Sequence, residues 1–151
     1  GPFNIEKFTG YCVLSSQFLH QYHQKGEFNL LVYTEPHPTM KNTIICRNWL
    51  KDGYDVEMTF NDEDPLLPVV TMERAVASDQ GSFFGTVYGE WGDKLYVQSS
   101  ALAQSIYYPL GGYLYVWTEI SVEEFGVVGH FYNVMEWISD EEAERIMREG
   151  F

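Results

Sequence analysis

Residues 95–119 read LYVQSSALAQSIYYPLGGYLYVWTE, and 84 positions earlier residues 11–35 read YCVLSSQFLHQYHQKGEFNLLVYTE. Laid one on the other without a gap, they agree at Val13/Val97, Ser15/Ser99, Ser16/Ser100, Leu30/Leu114, Val32/Val116, Thr34/Thr118 and Glu35/Glu119. Unrelated segments of ordinary composition would agree at roughly one or two of these positions. The agreement also has a period. Leu-x-Val-x-Thr alternates in both copies, the two-residue repeat of a strand with one face in a core. A one-residue gap extends the match, setting Ile44-Ile45 against Val127-Val128 and Trp49 against Tyr132. The chain reads as a duplicated β unit.

Around this repeat the second copy divides into five strands. Residues 85–91 (GTVYGEW) and 94–98 (KLYVQ) flank Gly92-Asp93, a turn of the hairpin kind. Ser105–Tyr108 is short, Gly111-Gly112 turns the chain into residues 113–120, and residues 127–134 close the set. The first copy supplies residues 3–8, 11–15, 29–35 and 43–49 as strands. Both copies place Ser-Ser after a strand, where hydroxyls can satisfy the backbone of a turn. Between them residues 54–60 alternate as one more strand, and residues 61–65 (NDEDP) break the pattern. Residues 66–77 fit either a strand or a strand running into a short helix. Ser139 followed by Glu142 is a capping box that opens a terminal helix, and Gly150 ends it. On that helix Glu141/Arg145 and Glu144/Arg148 stand at pairing distance, and Ala143, Ile146 and Met147 form an apolar stripe.

The succession GTVYGEW, KLYVQSS, SIYYPLGG, YLYVWTEI, VVGHFYNV resembles the strand order of OB-type barrels of the cold-shock and S1-like kind. In those barrels a Gly-x-Val first strand leads through a hairpin to an aromatic second strand. The resemblance covers most of residues 83–134 and, more loosely, 3–49. It implies a mainly β chain of two tandem five-stranded OB-like barrels with a short C-terminal helix. The first barrel would take residues 3–60, an acidic linker 61–81, the second barrel 82–138 and the helix 139–151. It also implies a single-stranded RNA surface on strands two and three, whose positions here hold Tyr96 and Tyr107 with Lys94 as the lone cation.

Charge argues against that surface being used. The 151 residues carry 22 acids against nine Lys and Arg, a net charge of −13. A uniform phosphate-binding face is excluded, because counterion release needs clustered cations. Direct nucleic-acid binding is not expected. Hydrophobic residues at 45% suffice for a core, and aromatics at 17% suit strands and binding surfaces. Residues 95–118 are uncharged and long enough to span a bilayer, yet they contain Pro109, Gly111-Gly112 and several Gln and Ser at strand period, so no membrane helix is expected. Gly1-Pro2 resembles the scar of a cleaved tag, which suggests a fragment of a longer protein. Cys12 and Cys46 read as reduced, packed thiols, and an intracellular setting follows as an expectation.

For chemistry the residues offer little. Cys12, His20, His23 and Cys46 are metal-ligand types at spacings that match no compact zinc pattern, so no metal or cofactor is expected. Ser99, Ser100 or a cysteine would need a positioned histidine and a third group to act as nucleophile, and His20, His23, His37 and His130 are not spaced for it. An enzyme is not expected. The fourth strand of the second copy is more telling. Leu114, Val116 and Thr118 recur in the first copy as Leu30, Val32 and Thr34, as core positions should. The alternate set, Tyr113, Tyr115, Trp117 and Glu119, recurs only at its last member, as Glu35. Such a face either packs against another part of the molecule or meets a partner. With Tyr96 and Tyr107 it forms the expected partner-binding set. The expected function is non-catalytic protein–protein interaction, with an RNA-regulating assembly as the setting the resemblance implies. The expected partner segment carries Lys or Arg among apolar anchors. The alternatives are single-stranded RNA binding through the aromatic strands and a small-molecule-binding β-barrel, against which the 84-residue repeat argues.

Overall fold

The computed structural model describes residues 3–22, 29–64, 68–79 and 94–151. Its strands are β1 (Gly10–Ser16), β2 (Asn29–Pro36), β3 (Thr43–Arg47), β4 (Val56–Asn61), β5 (Val69–Thr71), β6 (Ala75–Ser78), β7 (Leu95–Ser99), β8 (Ser105–Tyr108), β9 (Tyr113–Val122) and β10 (Gly126–Trp137). Two helices accompany them, α1 (Gln17–Tyr22) and α2 (Asp140–Glu149), with a 3-10 turn at Ile5–Phe8. Every strand pair is antiparallel. β5 and β6 act as one bent stave, since Val69 faces Ile106 and Ala75 faces Val97 along the same neighbouring line. β7 and β8 likewise share β9, with Leu95 opposite Val122 and Ile106 opposite Tyr115, while residues 100–104 loop out between them. The staves follow one another in chain order, and β10 pairs with both β9 and β1. The result is a closed eight-stave barrel.

One barrel therefore stands where two tandem OB-like barrels were expected. The first copy supplies the staves from β1 to β4 and the second those from β7 onward, joined through β5 and closed by β10 on β1. Residues 61–81, expected as an acidic linker, contain β5 and β6. The physical reason lies in strand edges. Half the chain leaves an open sheet with exposed N–H and C=O groups, and pairing the halves removes both edges at once. The strand positions themselves hold closely, except that residues 5–8 form a 3-10 turn capped by Asn4. Residues 85–91 and the Gly92-Asp93 turn lie outside the described residues.

Both alternating sets face inward as the repeat requires: Leu30, Val32 and Thr34 in β2, and Leu114, Val116 and Thr118 in β9, are all buried. Leu14, Ile44, Met58, Leu95 and Met135 complete the packed interior. Cys12 and Cys46 are buried free thiols, and burial pushes both well above the ordinary thiol range. Interior polar groups are bonded, as burial demands. Asn133 Nδ2 donates to Val116 O (3.0 Å) and Thr118 Oγ1 (3.2 Å), and Thr34 Oγ1 accepts from Trp137 Nε1 (2.9 Å) while donating to Phe8 O (2.7 Å). Aromatics stop the ends: Phe18 of α1 meets Phe131 edge-on at 5.1 Å, and Phe8 meets Tyr107 at 4.9 Å. α2 lies against β1 with Ala143 and Ile146 buried, while Met147 of the expected stripe is exposed. Ser139 Oγ accepts from Glu142 N (3.1 Å), and Gly150 at φ 83° ends the helix. Arg145 pairs with Glu142 and Glu149 rather than with Glu141. Among the described residues no helix is long and apolar enough to cross a membrane.

Candidate functional site

The outward residues of β9 gather an aromatic cluster on the outside of the barrel. Register decides its members. Tyr115 stands opposite Ile106 of β8 and Val134 of β10, Tyr113 opposite Tyr108, and Trp117 opposite Tyr132. Because these positions alternate with buried Leu114, Val116 and Phe131, their side chains point away from the core. Tyr115 and Tyr132 stack with centroids 5.6 Å apart, Trp117 meets Tyr132 at 5.3 Å, and Tyr115 meets both Tyr108 and Tyr113 at 6.4 Å. Mutual contact leaves the rings half-buried, with Tyr108 45% exposed. Burial and the neighbouring Tyr115 hydroxyl together raise the Tyr132 phenol above its ordinary value.

Four of the six residues singled out from the sequence share this side of β9, and two do not. Tyr113, Tyr115 and Trp117 lie in the cluster and Glu119 at its end. Tyr107 stands beside Leu114 and packs inward on Phe8, because it occupies the opposite phase of β8 from Ile106 and Tyr108. Tyr96 points outward on β7, but the Arg74 guanidinium covers its ring at 3.8 Å. Two cluster members escape the sequence reading. Tyr132 aligns with Trp49 across the repeat, and the outward phase His130, Tyr132, Val134 is a signal that could have found it. Tyr108 differs from Tyr107 only in phase, which pairing decides.

A polar row borders the cluster. Glu119 accepts from Gln98 Nε2, His130 Nε2 stands 3.9 Å from Glu119 Oε1, and His130 Nδ1 lies 2.8 Å from Ser100 Oγ. Ser100 Oγ also accepts from Leu102 N at 3.0 Å. Serine, imidazole and carboxylate thus stand in series, with the carboxylate beyond hydrogen-bond length of the ring. What the row does is tie the excursion at residues 100–104 across β9 to β10. Beneath that excursion lies a hollow of about 300 Å³ walled by Val69, Val70, Leu102 and Ala103. Of the residues with metal-ligand chemistry, Cys12 and Cys46 are in the core, His20 is exposed on α1, and His23 lies outside the described residues.

One protein family matches nearly the whole chain, residues 1–149; its description is Domain of unknown function (DUF4984). No curated protein and no solved structure matches.

Proposed function

The chain belongs to the DUF4984 family, and we propose that it is a non-catalytic interaction domain whose contact surface is the outer face of β8, β9 and β10. One observation carries the reading. Tyr108, Tyr113, Tyr115, Trp117 and Tyr132 form a single contiguous aromatic surface on the outside of the barrel, on the face of β9 opposite its buried core residues. Aromatic anchors of this kind supply most of the affinity at protein interfaces. Glu119 and Glu136 border the cluster, and the chain is strongly acidic. These charges favour a partner segment with Lys or Arg among apolar anchors, mainly by speeding encounter and rejecting acidic competitors. Single-stranded RNA would need cations between the rings, and none stands among these five.

Fluorescence anisotropy with three synthetic peptides of equal apolar content, bearing Lys/Arg, Ser or Glu between the anchors, tests the reading. The basic peptide should bind most tightly, and a poly-pyrimidine oligonucleotide should not bind near physiological salt. Trp117→Ala should weaken the basic peptide by about 2 kcal/mol without lowering the melting temperature greatly. Added salt should slow association more than it alters dissociation. Affinity indifferent both to peptide charge and to Trp117→Ala would remove this face from consideration.

A further inference from the structure

The barrel has a seam. Among the described residues β4 pairs with β5 only through Thr59, Phe60 and Asn61, and no ladder joins Val56, Glu57 and Met58 to β6. The cause is the bend at Met72, Glu73 and Arg74. There the stave leaves β4 and follows β7, with Arg74 laid on the Tyr96 ring at 3.8 Å. Both ends of the seam are pinned. Thr59 pairs with Thr71 at one end; at the other, Ser78 Oγ donates to the Asp52 carboxylate and Tyr54 donates to Asp79 Oδ2 at 2.8 Å. Between the pins the outer surface opens into a groove of about 650 Å³. Val56, Met58 and Ala77 are buried beneath it, so it does not lead into the core.

The walls carry donors and acceptors on both sides. Arg47, Asp55, Glu57 and Thr59 line the β3–β4 wall, and Thr71, Glu73 and Arg74 the other, over apolar Met40, Ile45 and Ala75, on which the carbon face of a ring can rest. Several of these groups are held in place. Arg47 Nη1 donates to Asp55 Oδ2 at 2.8 Å, and its Nε to Glu35 Oε1 at 2.7 Å. His37 Nδ1 accepts from Thr39 N and Met40 N, which leaves the ring proton on Nε2, 3.1 Å from Glu57 Oε1. Arg74 and Glu73 have no ion-pair partner among the described residues.

This mixture selects its ligand by exclusion. A simple anion meets Asp55, Glu57 and Glu73; a simple cation meets Arg47 and Arg74. An extended strand cannot pass through a gap pinned at both ends. A hydroxyl donates and accepts at once, so it can bond to every one of these groups. The geometry points to the seam groove as a binding site for a neutral polyhydroxylated small molecule of mono- to disaccharide size. Its volume lies within the range usual for small-ligand sites. The site is separate from the aromatic face, and neither depends on the other.

Titration of 15N-labelled protein with D-glucose, D-galactose, D-mannose, maltose and cellobiose, followed by amide shifts, tests this. At least one sugar should give saturable shifts at Glu57, Thr59, Thr71 and Arg74. Arg74→Ala and Glu57→Ala should each weaken it by about tenfold, the loss of one hydrogen bond to a charged group. Both side chains are exposed, so unchanged shifts elsewhere will confirm that the variants fold. Trp117→Ala should leave sugar binding unaltered. The inference is overturned if no sugar of the panel gives saturable shifts there, or if both wall variants bind as the native protein does. It is overturned equally if spermidine or glutarate binds in the groove as tightly as the best sugar.

Discussion

Residues 11–35 and 95–119 run alike through their first six positions, part in the middle, and agree again from Leu30 and Leu114 onward. In both, paired serines stand at the end of a strand, Ser16 inside β1 and Ser100 just past β7, and the second hydroxyl bonds the backbone ahead: Ser16 Oγ accepts from Leu19 N at 3.2 Å, Ser100 Oγ from Leu102 N at 3.0 Å. After Ser16 the chain winds into α1, which buries Phe18 and Leu19 at the barrel end. After Ser100 the chain makes a loop that leaves Leu102 75% exposed, and the strand resumes at Ser105. The same local start therefore serves two ends. The path beyond the serines depends on whether large side chains have a core to enter: Phe18 finds Phe131, whereas Ala101, Leu102 and Ala103 find none.

The parallel extends to charge. The gap that sets Trp49 against Tyr132 also sets Arg47 against His130, while Glu35 already matches Glu119. In the first copy Arg47 bridges Glu35 and Asp55, a pairing that serves the seam groove. In the second copy His130 stands between Glu119 and Ser100, securing the loop beside the aromatic face. Positions aligned by the repeat thus belong to two different surfaces.

The largest difference between the two segments is expected at Phe18. Phe18→Ala should cost about 3–5 kcal/mol in urea unfolding, as for other buried aromatics, while Leu102→Ala should stay within about 0.5 kcal/mol. Similar losses at both sites would mean that the two turns are energetically equivalent. The outward faces come next. In the peptide assay Tyr33→Ala, in the first copy, should change affinity by less than about 0.5 kcal/mol, against about 2 kcal/mol expected for Trp117→Ala. Equal effects would spread the interface over both copies. Third, Ser16→Ala should destabilise the protein by about 1 kcal/mol through loss of the α1 cap. Ser100→Ala should instead speed amide exchange at Leu102 locally, leaving global unfolding nearly unchanged.

The smallest effect concerns Asp55. Burial raises its carboxyl, but the Asn48 N–H and the Arg47 guanidinium outweigh it and hold the group below its ordinary value near 3.8. A carboxyl depressed in the folded state lends stability that is present above the unfolded value and lost as pH falls through the folded one. Asp55→Asn should therefore lower the melting temperature slightly at neutral pH and flatten its fall below about pH 4. The amount should be well under about 1 kcal/mol, because the pair is partly exposed and screened. An unchanged acid limb would show that Arg47 contributes no net stabilisation there.

Much of the site was legible in the alternation of β9, because neighbours on a strand necessarily face opposite ways. Tyr113, Tyr115 and Trp117 needed only that rule. Tyr107 and Tyr108 needed more, since both sit in a four-residue strand ending at a proline and the pattern there allows either phase. Pairing with β9 resolves it, placing Tyr107 beside buried Leu114. The seam groove had no sequence signal at all. Arg47, Asp55, Glu57 and Arg74 read as scattered surface charges until β4 and β6 part.

Taken alone, the sequence determined that the chain is mainly β, where most strands run, which of their faces is apolar, and that a capped helix ends it. These rest on local chemistry: period, turn residues and the Ser139–Glu142 cap. It also showed two segments of like pattern, residues 11–35 and 95–119, and left open how they meet. Tertiary structure decided that eight staves close into one barrel, because the unpaired edges of two half-sheets satisfy each other only across the repeat. It decided equally which aromatics reach the outside together and where the ladder fails, since register and edge pairing join residues that lie far apart along the chain.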